Sequence, residues 1–155
     1  MIEKVELENL KTKVFDYYSS NKKLCSPIFG YVKLTPQSLW HLENKDKKHK
    51  RSMDEVLIRY KCFLLIDKII KKSFLYQEYK QEIEDVFVKR KGKKVKINSK
   101  VKYFGLIGII EAYKGHWIRI KIVIKKVSNR NYEFVSVIPA WNMRGYHRLY
   151  FDERL

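Results

Sequence analysis

From His116 to Trp141 the chain reads HWIRIKIVIKKVSNRNYEFVSVIPAW, two runs of strict apolar–polar alternation around a polar turn at Ser128–Asn131. A period of two on both sides of such a turn is how an antiparallel β-hairpin is written. Pairing about the turn sets Lys125 opposite Phe134, Val123 opposite Ser136, Lys121 opposite Ile138 and Arg119 opposite Ala140. One face then carries Ile120, Ile122, Ile124, Val135 and Val137, and belongs to the core. The other gathers Arg119, Lys121, Lys125, Tyr132 and Ser136. A slip of one residue would exchange the two faces.

Upstream the period lengthens. Val5, Leu7, Leu10, Val14, Phe15 and Tyr18 fit an amphipathic helix over residues 2–20, and Asn21–Pro27 breaks it. Phe29–Leu34 reads as a short strand. Thr35-Pro36 then offers an N-cap followed by proline at the first helical position, opening a helix through Leu39, Trp40, His41 and Leu42. A charge run at 43–51 ends it. Ser52 caps the next helix, with Glu55 completing a capping box, and Met53, Val56, Leu57, Tyr60, Leu64 and Ile70 point inward. From Phe74 short strand-like runs follow: Phe74–Tyr79, Ile83–Lys89, Val95–Ile97 and Tyr103–Ile110. The basic stretch Lys89–Lys102 is a loop or a strand edge. Helices first and strands afterwards predict an α+β fold, with N-terminal helices packed on one face of an antiparallel sheet. The chain reads as one domain over 1–155: a helical part at about 1–72, a sheet part at about 74–141 and a tail at 142–155.

Composition sharpens the choice of partner. Lys and Arg number 34 against 17 Asp and Glu, a formal charge of +17. Such a field concentrates polyanions and drives phosphate contacts that ignore sequence. Nucleic acid is the first candidate, an anionic membrane surface the second, and a merely lysine-rich soluble protein the plain alternative. Cys25 and Cys62 form no CxxC and no metal spacing, which points to a reducing, cytoplasmic setting; Cys62 lies in an apolar helical run as packing. The first residues do not read as a signal peptide, and no apolar run approaches a membrane span. No glycine-rich phosphate loop, no GxSxG and no metal-spaced cluster is present, so neither a metal nor another cofactor is expected.

Two segments, FGYVKLTPQSLWHLENKDKKH and HWIRIKIVIKKVSNRNYEFVSVIPAW, are together similar to the phage-associated members of the barnase–EndoU–colicin–RelE superfamily of ribonucleases. The first matches a strand and a Thr-capped helix with one histidine inside and a second further on. The second matches a basic strand leading to an F-x-S-V-I-P strand. The resemblance covers roughly 29–72 and 103–141. It implies a helical part packed on a four- to five-stranded antiparallel sheet, RNA cleavage without a metal, and service as a toxin or a phage or mobile-element effector. By position it carries the helix histidine onto His41 and the second onto His49. The basic strand position falls on Arg119 or Lys121, and the late Ser/Thr on Ser136. A toxin further implies an acidic antitoxin or immunity partner over the basic face.

The chemistry asks for a base at the 2′-OH, an acid at the 5′-oxygen and cations on the phosphate. His41 titrates near working pH and is the natural acid–base group, although a histidine between Trp40 and Leu42 also fits a packed core residue. Arg119 and Lys121 would clamp the phosphate, the arginine through its fork; Ser136 would orient it. Lys125, Tyr132 and His49 are candidate RNA contacts, Tyr132 equally a cross-strand packing residue and His49 equally a plain surface group. In the tail, Trp141, Arg144 and His147 interleave aromatic and basic character, which suits stacking on unpaired bases or a docking strand. The expected activity is a metal-independent endoribonuclease acting on tRNA, mRNA or rRNA. The competing readings are a non-catalytic basic nucleic-acid-binding module and a scaffold whose basic face meets an acidic protein.

Overall fold

The computed structural model describes residues 2–113 and 116–139. The chain begins with helix α1 (Ile2–Ser20), then the strands β1 (Lys23–Ser26) and β2 (Gly30–Lys33). Three helices follow, α2 (Pro36–Glu43), α3 (Met53–Phe63) and α4 (Ile66–Lys72). Four strands complete the described chain: β3 (Glu78–Arg90), β4 (Lys93–Tyr113), β5 (His116–Val127) and β6 (Tyr132–Pro139). The fold is α+β, as the pattern predicts. Its sheet has six strands in the order β1-β2-β6-β5-β4-β3, more than the four or five expected. Every pair is antiparallel except β2 with β6, which run parallel through Val32↔Tyr132 and Lys33↔Glu133. A long crossover separates those two strands in the chain, and such a connection permits a parallel pair.

Local signals place the helix starts where expected. Ser52 Oγ accepts from Glu55 N at 3.3 Å while Glu55 Oε2 accepts from Ser52 N at 2.9 Å, the reciprocal box of a capped helix. In α2, Ser38 is fully buried; its hydroxyl accepts from Thr35 N and donates to Phe134 O, each at 3.0 Å. One serine therefore both closes the first turn of α2 and fastens it to β6.

The single helix expected from Met53 to Ile70 is two. Leu65 N donates to Cys62 O at 3.0 Å, a tightened turn that ends α3. Up to that turn the apolar run faces β6; after it, α4 packs on β4 and β1. Gly108 makes the second approach possible, since a Cβ there would lie 2.9 Å from Ile69 Cγ1. Ile66, Ile70, Leu106, Ile120, Ile122, Ile124, Phe134 and Val137 are all buried to 0–1% exposure, and they join sheet to helices in one core. Met53, read as inward, is exposed at the mouth of α3.

Three further differences concern strands. The Asn21–Pro27 break contains β1, a strand too short to show a period. Of the four short runs expected between Phe74 and Ile110, residues 74–77 of the first are not strand, and the rest fall in two long strands joined at Lys91-Gly92, where φ is +48° and +76°. Positive φ at both central residues is a two-residue hairpin turn, so the basic stretch Lys89–Lys102 is strand nearly throughout. Its residues before Ile97 are exposed, and lysines rather than an apolar face fill most of their positions.

The β5–β6 register follows the expected pairing at Lys121↔Ile138 and Val123↔Ser136, then shifts to Ile124↔Phe134 and Lys125↔Glu133. Val135 is thus a bulge, one extra residue on β6. Phe134 replaces Val135 in the core, and Lys125 faces Glu133 rather than Phe134. Tyr132 moves as well: expected beside the cations, it lies on the helix side, 4.6 Å from the Phe29 ring centroid and 5.8 Å from that of Phe104. The bulge reverses the facing of every residue between it and the turn, and Tyr132 becomes a packing residue under Lys126.

Candidate functional site

His41 owes its setting to the pitch of α2. Ser38 and Leu42, four residues apart, both face inward and are buried. His41, next to Leu42, therefore stands where the helix meets solvent, partly buried, with its ring edge-on to Trp40 at 5.1 Å between centroids. Burial lowers the imidazole's affinity for a proton below the usual histidine value. Three positive charges lower it further: Lys125 from β5, Arg51 from the α2–α3 loop and Arg59 from α3. At neutral pH the ring is uncharged and able to accept a proton.

Each cation is held by a main-chain carbonyl or by sheet register. Arg51 Nε donates to His41 O at 3.2 Å, and Arg51 N donates to Glu43 O at 2.9 Å, drawing the loop back on the end of α2. Arg59 is partly buried, and its guanidinium donates to Val137 O. Burial and the neighbouring Arg51 charge both press on Arg59. Lys125 stands opposite both Glu133 and Tyr103 in the sheet. Ser38 and Arg59 thus occupy carbonyls on the side of β6 that no described strand covers beyond Glu133.

Across β5, on the face away from the helices, lies an open depression of about 850 Å³ lined among others by Glu78, Lys80, Glu84, Tyr103 and Lys121. Its charge is mixed. Lys121 Nζ is paired with Glu78, and the Tyr103 hydroxyl donates to Glu84 at 2.7 Å. Burial and Glu84 raise the Tyr103 pKa well above that of a free phenol, so it stays protonated.

The expected site residues therefore divide. His41 comes within the electrostatic reach of Lys125. Ser136, opposite Val123, shares the face and neighbourhood of Lys121 and Lys125. Lys121 is turned to Glu78. Arg119, opposite Ile109, is six positions from Lys125 along β5, roughly 20 Å at ordinary strand rise. His49 is exposed in the α2–α3 loop, its Nδ1 2.8 Å from both carboxylate oxygens of Asp46. Tyr132 is on the opposite face. Trp141, Arg144 and His147 lie outside the described residues, as does Ala140, the expected partner of Arg119.

Arg51 and Arg59 were not legible as site residues. Arg51 closes a run of like charges, and Arg59 follows Glu55 at helical spacing, as on any solvated face. Only the fold brings them to His41. Among the described residues no three His, Cys, Asp or Glu side chains converge as metal ligands would.

In an NMR titration the His41 ring should have a midpoint below 6.5, and added sulfate should move that midpoint upward, because an anion offsets the cations. A midpoint indifferent to sulfate would mean that no anion seats beside the ring. The folded state prefers the neutral ring, so this contribution to stability is present above the unfolded value near 6.5 and is lost as pH falls through the lower folded value.

Compared with protein-family models, curated proteins and solved structures, the chain gives no match, and its reading rests on its own residues.

Proposed function

We propose that the protein is a metal-independent endoribonuclease with His41 as its general base and Lys125, Arg51 and Arg59 as the cradle for the scissile phosphate. One observation carries the reading: a partly buried imidazole on α2 whose proton affinity is lowered by burial and by three cations, with no carboxylate of the described residues among the charges acting on it. A phosphodiester would supply the missing negative charge. The imidazole takes the proton of a ribose 2′-OH, and that oxygen attacks phosphorus as the P–O5′ bond breaks. A 2′,3′-cyclic phosphate forms, and the departing 5′-oxygen takes a proton from water. Charge gathers on the non-bridging oxygens in the transition state, where fixed guanidinium and ammonium groups are most effective.

The resemblance of the His41 helix and the late β-hairpin to metal-independent ribonucleases supports the same chemistry. So does the overall charge of +17, which favours RNA of any class, tRNA, mRNA or rRNA. Ser136, on the face shared with Lys125, is the group to orient the phosphate. A toxin or mobile-element effector acting in the cytoplasm, neutralised by an acidic protein over the cationic cradle, is the setting that fits such an activity. No described helix is long and apolar enough to cross a membrane.

The test is RNA cleavage by purified protein in excess chelator, with the new ends analysed for 2′,3′-cyclic phosphate. Products carrying 3′-hydroxyl ends, cleavage only after metal is added, or no cleavage at high protein concentration would overturn the proposal. Tight, salt-sensitive binding without cleavage would leave the protein a nucleic-acid-binding module.

A further inference from the structure

The end of the β3–β4 hairpin stands apart from the body of the sheet. β5 accompanies β4 only as far as Val101↔Val127. From Ile83↔Lys100 to Arg90↔Lys93 no third described strand accompanies the two, and they form a ribbon. The β5–β6 turn touches it through Ser128 N, which donates to Lys100 O at 3.0 Å, and the Arg130 guanidinium, which donates to Phe87 O at 3.2 Å. At ordinary rise, eight residues per strand make it roughly 25 Å long.

One face of this arm is sorted by strand. Tyr79, at the root of the arm opposite Phe104, and Ile83 and Phe87 on the arm come from β3 and are 50%, 71% and 63% exposed, with Asp85 between the last two. Beside them β4 sets Lys100 opposite Ile83, Lys96 opposite Phe87 and Lys94 opposite Lys89. The apolar side chains recur every four residues, about 13 Å apart. The result is an apolar rail next to a cationic rail. Lys96 Nζ is 3.1 Å from Asp85 Oδ2, whereas no ion pair among the described residues engages Lys94 or Lys100. Residues 89–102 contain eight Lys and Arg and no acid.

We propose that this face binds single-stranded nucleic acid, its phosphates along the β4 lysines and its bases against Phe87, Ile83 and Tyr79, as a platform separate from the His41 site. Large apolar groups held in water gain most from a flat apolar ligand, and every base offers a π-face. Stacking with backbone neutralisation is the usual means of gripping a single strand. A duplex fits less well, because its bases are already stacked on each other. A lipid surface also fits less well: apolar groups that enter a bilayer sit at a tip, and here the tip, Arg90-Lys91-Gly92-Lys93, is polar throughout.

The proposal does not depend on cleavage, and its test keeps the two apart. A fluorescent 2′-O-methyl oligonucleotide of about 12 residues has no 2′-OH to attack and suits the site sizes of such platforms. Its binding is followed by anisotropy, with the full chain, beside a duplex of the same length. Phe87→Ala should weaken single-strand binding roughly 5- to 150-fold, the range for losing one stacking partner. Lys94→Gln with Lys100→Gln should reduce the slope of log affinity against log salt by about 0.7 for each phosphate no longer neutralised. These positions are exposed, so the fold should survive, as circular dichroism will check. His41→Ala should leave binding intact even if it removes cleavage. The idea is overturned if both ribbon variants bind like wild type, or if the duplex binds as tightly as the single strand. It is equally overturned if Phe87→Ala spares the oligonucleotide but abolishes binding to phosphatidylserine vesicles, which would assign the arm to membranes.

Discussion

His41→Ala should reduce RNA cleavage by about 10²- to 10⁴-fold, the usual worth of a positioned acid–base group, with little change in RNA affinity. The loss falls on kcat because the ring acts on the proton in flight and adds no charge to ground-state binding. In the wild type, kcat should rise with pH through a midpoint below 6.5, since the base works only when neutral and its surroundings depress its pKa. That limb should vanish in the alanine variant. Two lysines on one strand separate this arrangement from a merely basic sheet face. Lys125 acts on His41, whereas Lys121 is matched to Glu78. Lys125→Ala should therefore lower cleavage far more than Lys121→Ala. Equal losses from both, or an unchanged pH profile in His41→Ala, would place the chemistry elsewhere.

Phe63→Ala should destabilise the fold by about 3–5 kcal/mol, the measured cost of removing a buried ring and leaving a cavity. Phe63 is 0% exposed, and its ring meets two others edge-on, Tyr17 at 5.6 Å and Phe134 at 5.6 Å. It joins α1, α3 and β6 at one point, so a void there cannot close without separating helices from sheet. A domain of this kind has only about 5–15 kcal/mol in reserve. The urea midpoint should fall sharply with an unchanged slope, while Met53→Ala, at an exposed position, should stay within about 0.5 kcal/mol. A small shift at Phe63 would contradict the packing described for the three elements.

Local features were the readable part of this chain. Thr35-Pro36 and the Ser52–Glu55 box mark helix starts because capping is settled within one turn, and both starts stand where the sequence puts them. The β5–β6 hairpin was readable up to the point where period two fails. Nothing in EFVSV says which residue will be the extra one, and that choice decides whether Tyr132 meets RNA or packs on Phe29. The β3–β4 ribbon was readable in pieces: Ile83–Lys89 and Val95–Ile97 read as strands and lie in β3 and β4, whereas the lysine-rich residues around the turn have no buried face to impose an alternation. The site was half legible. His41 stood out as a titratable group on an apolar helix and Lys125 as a strand cation, but Arg51 joins the candidate site only when the α2–α3 loop folds back on α2, and Arg59 only when α3 docks.

Arg59 has a consequence for how the protein fails. It is at once a charge on His41 and, through Val137 O, a plug on the side of β6 that no described strand covers beyond Glu133, where Ser38 plugs Phe134 O. An excursion that lifts α2 and α3 would dismantle the cation array and uncover a row of strand carbonyls in the same motion. Unblocked strand edges recruit other chains. On heating, loss of activity and the onset of self-association would then share one clock, set by the undocking of two helices well before the six-stranded sheet comes apart.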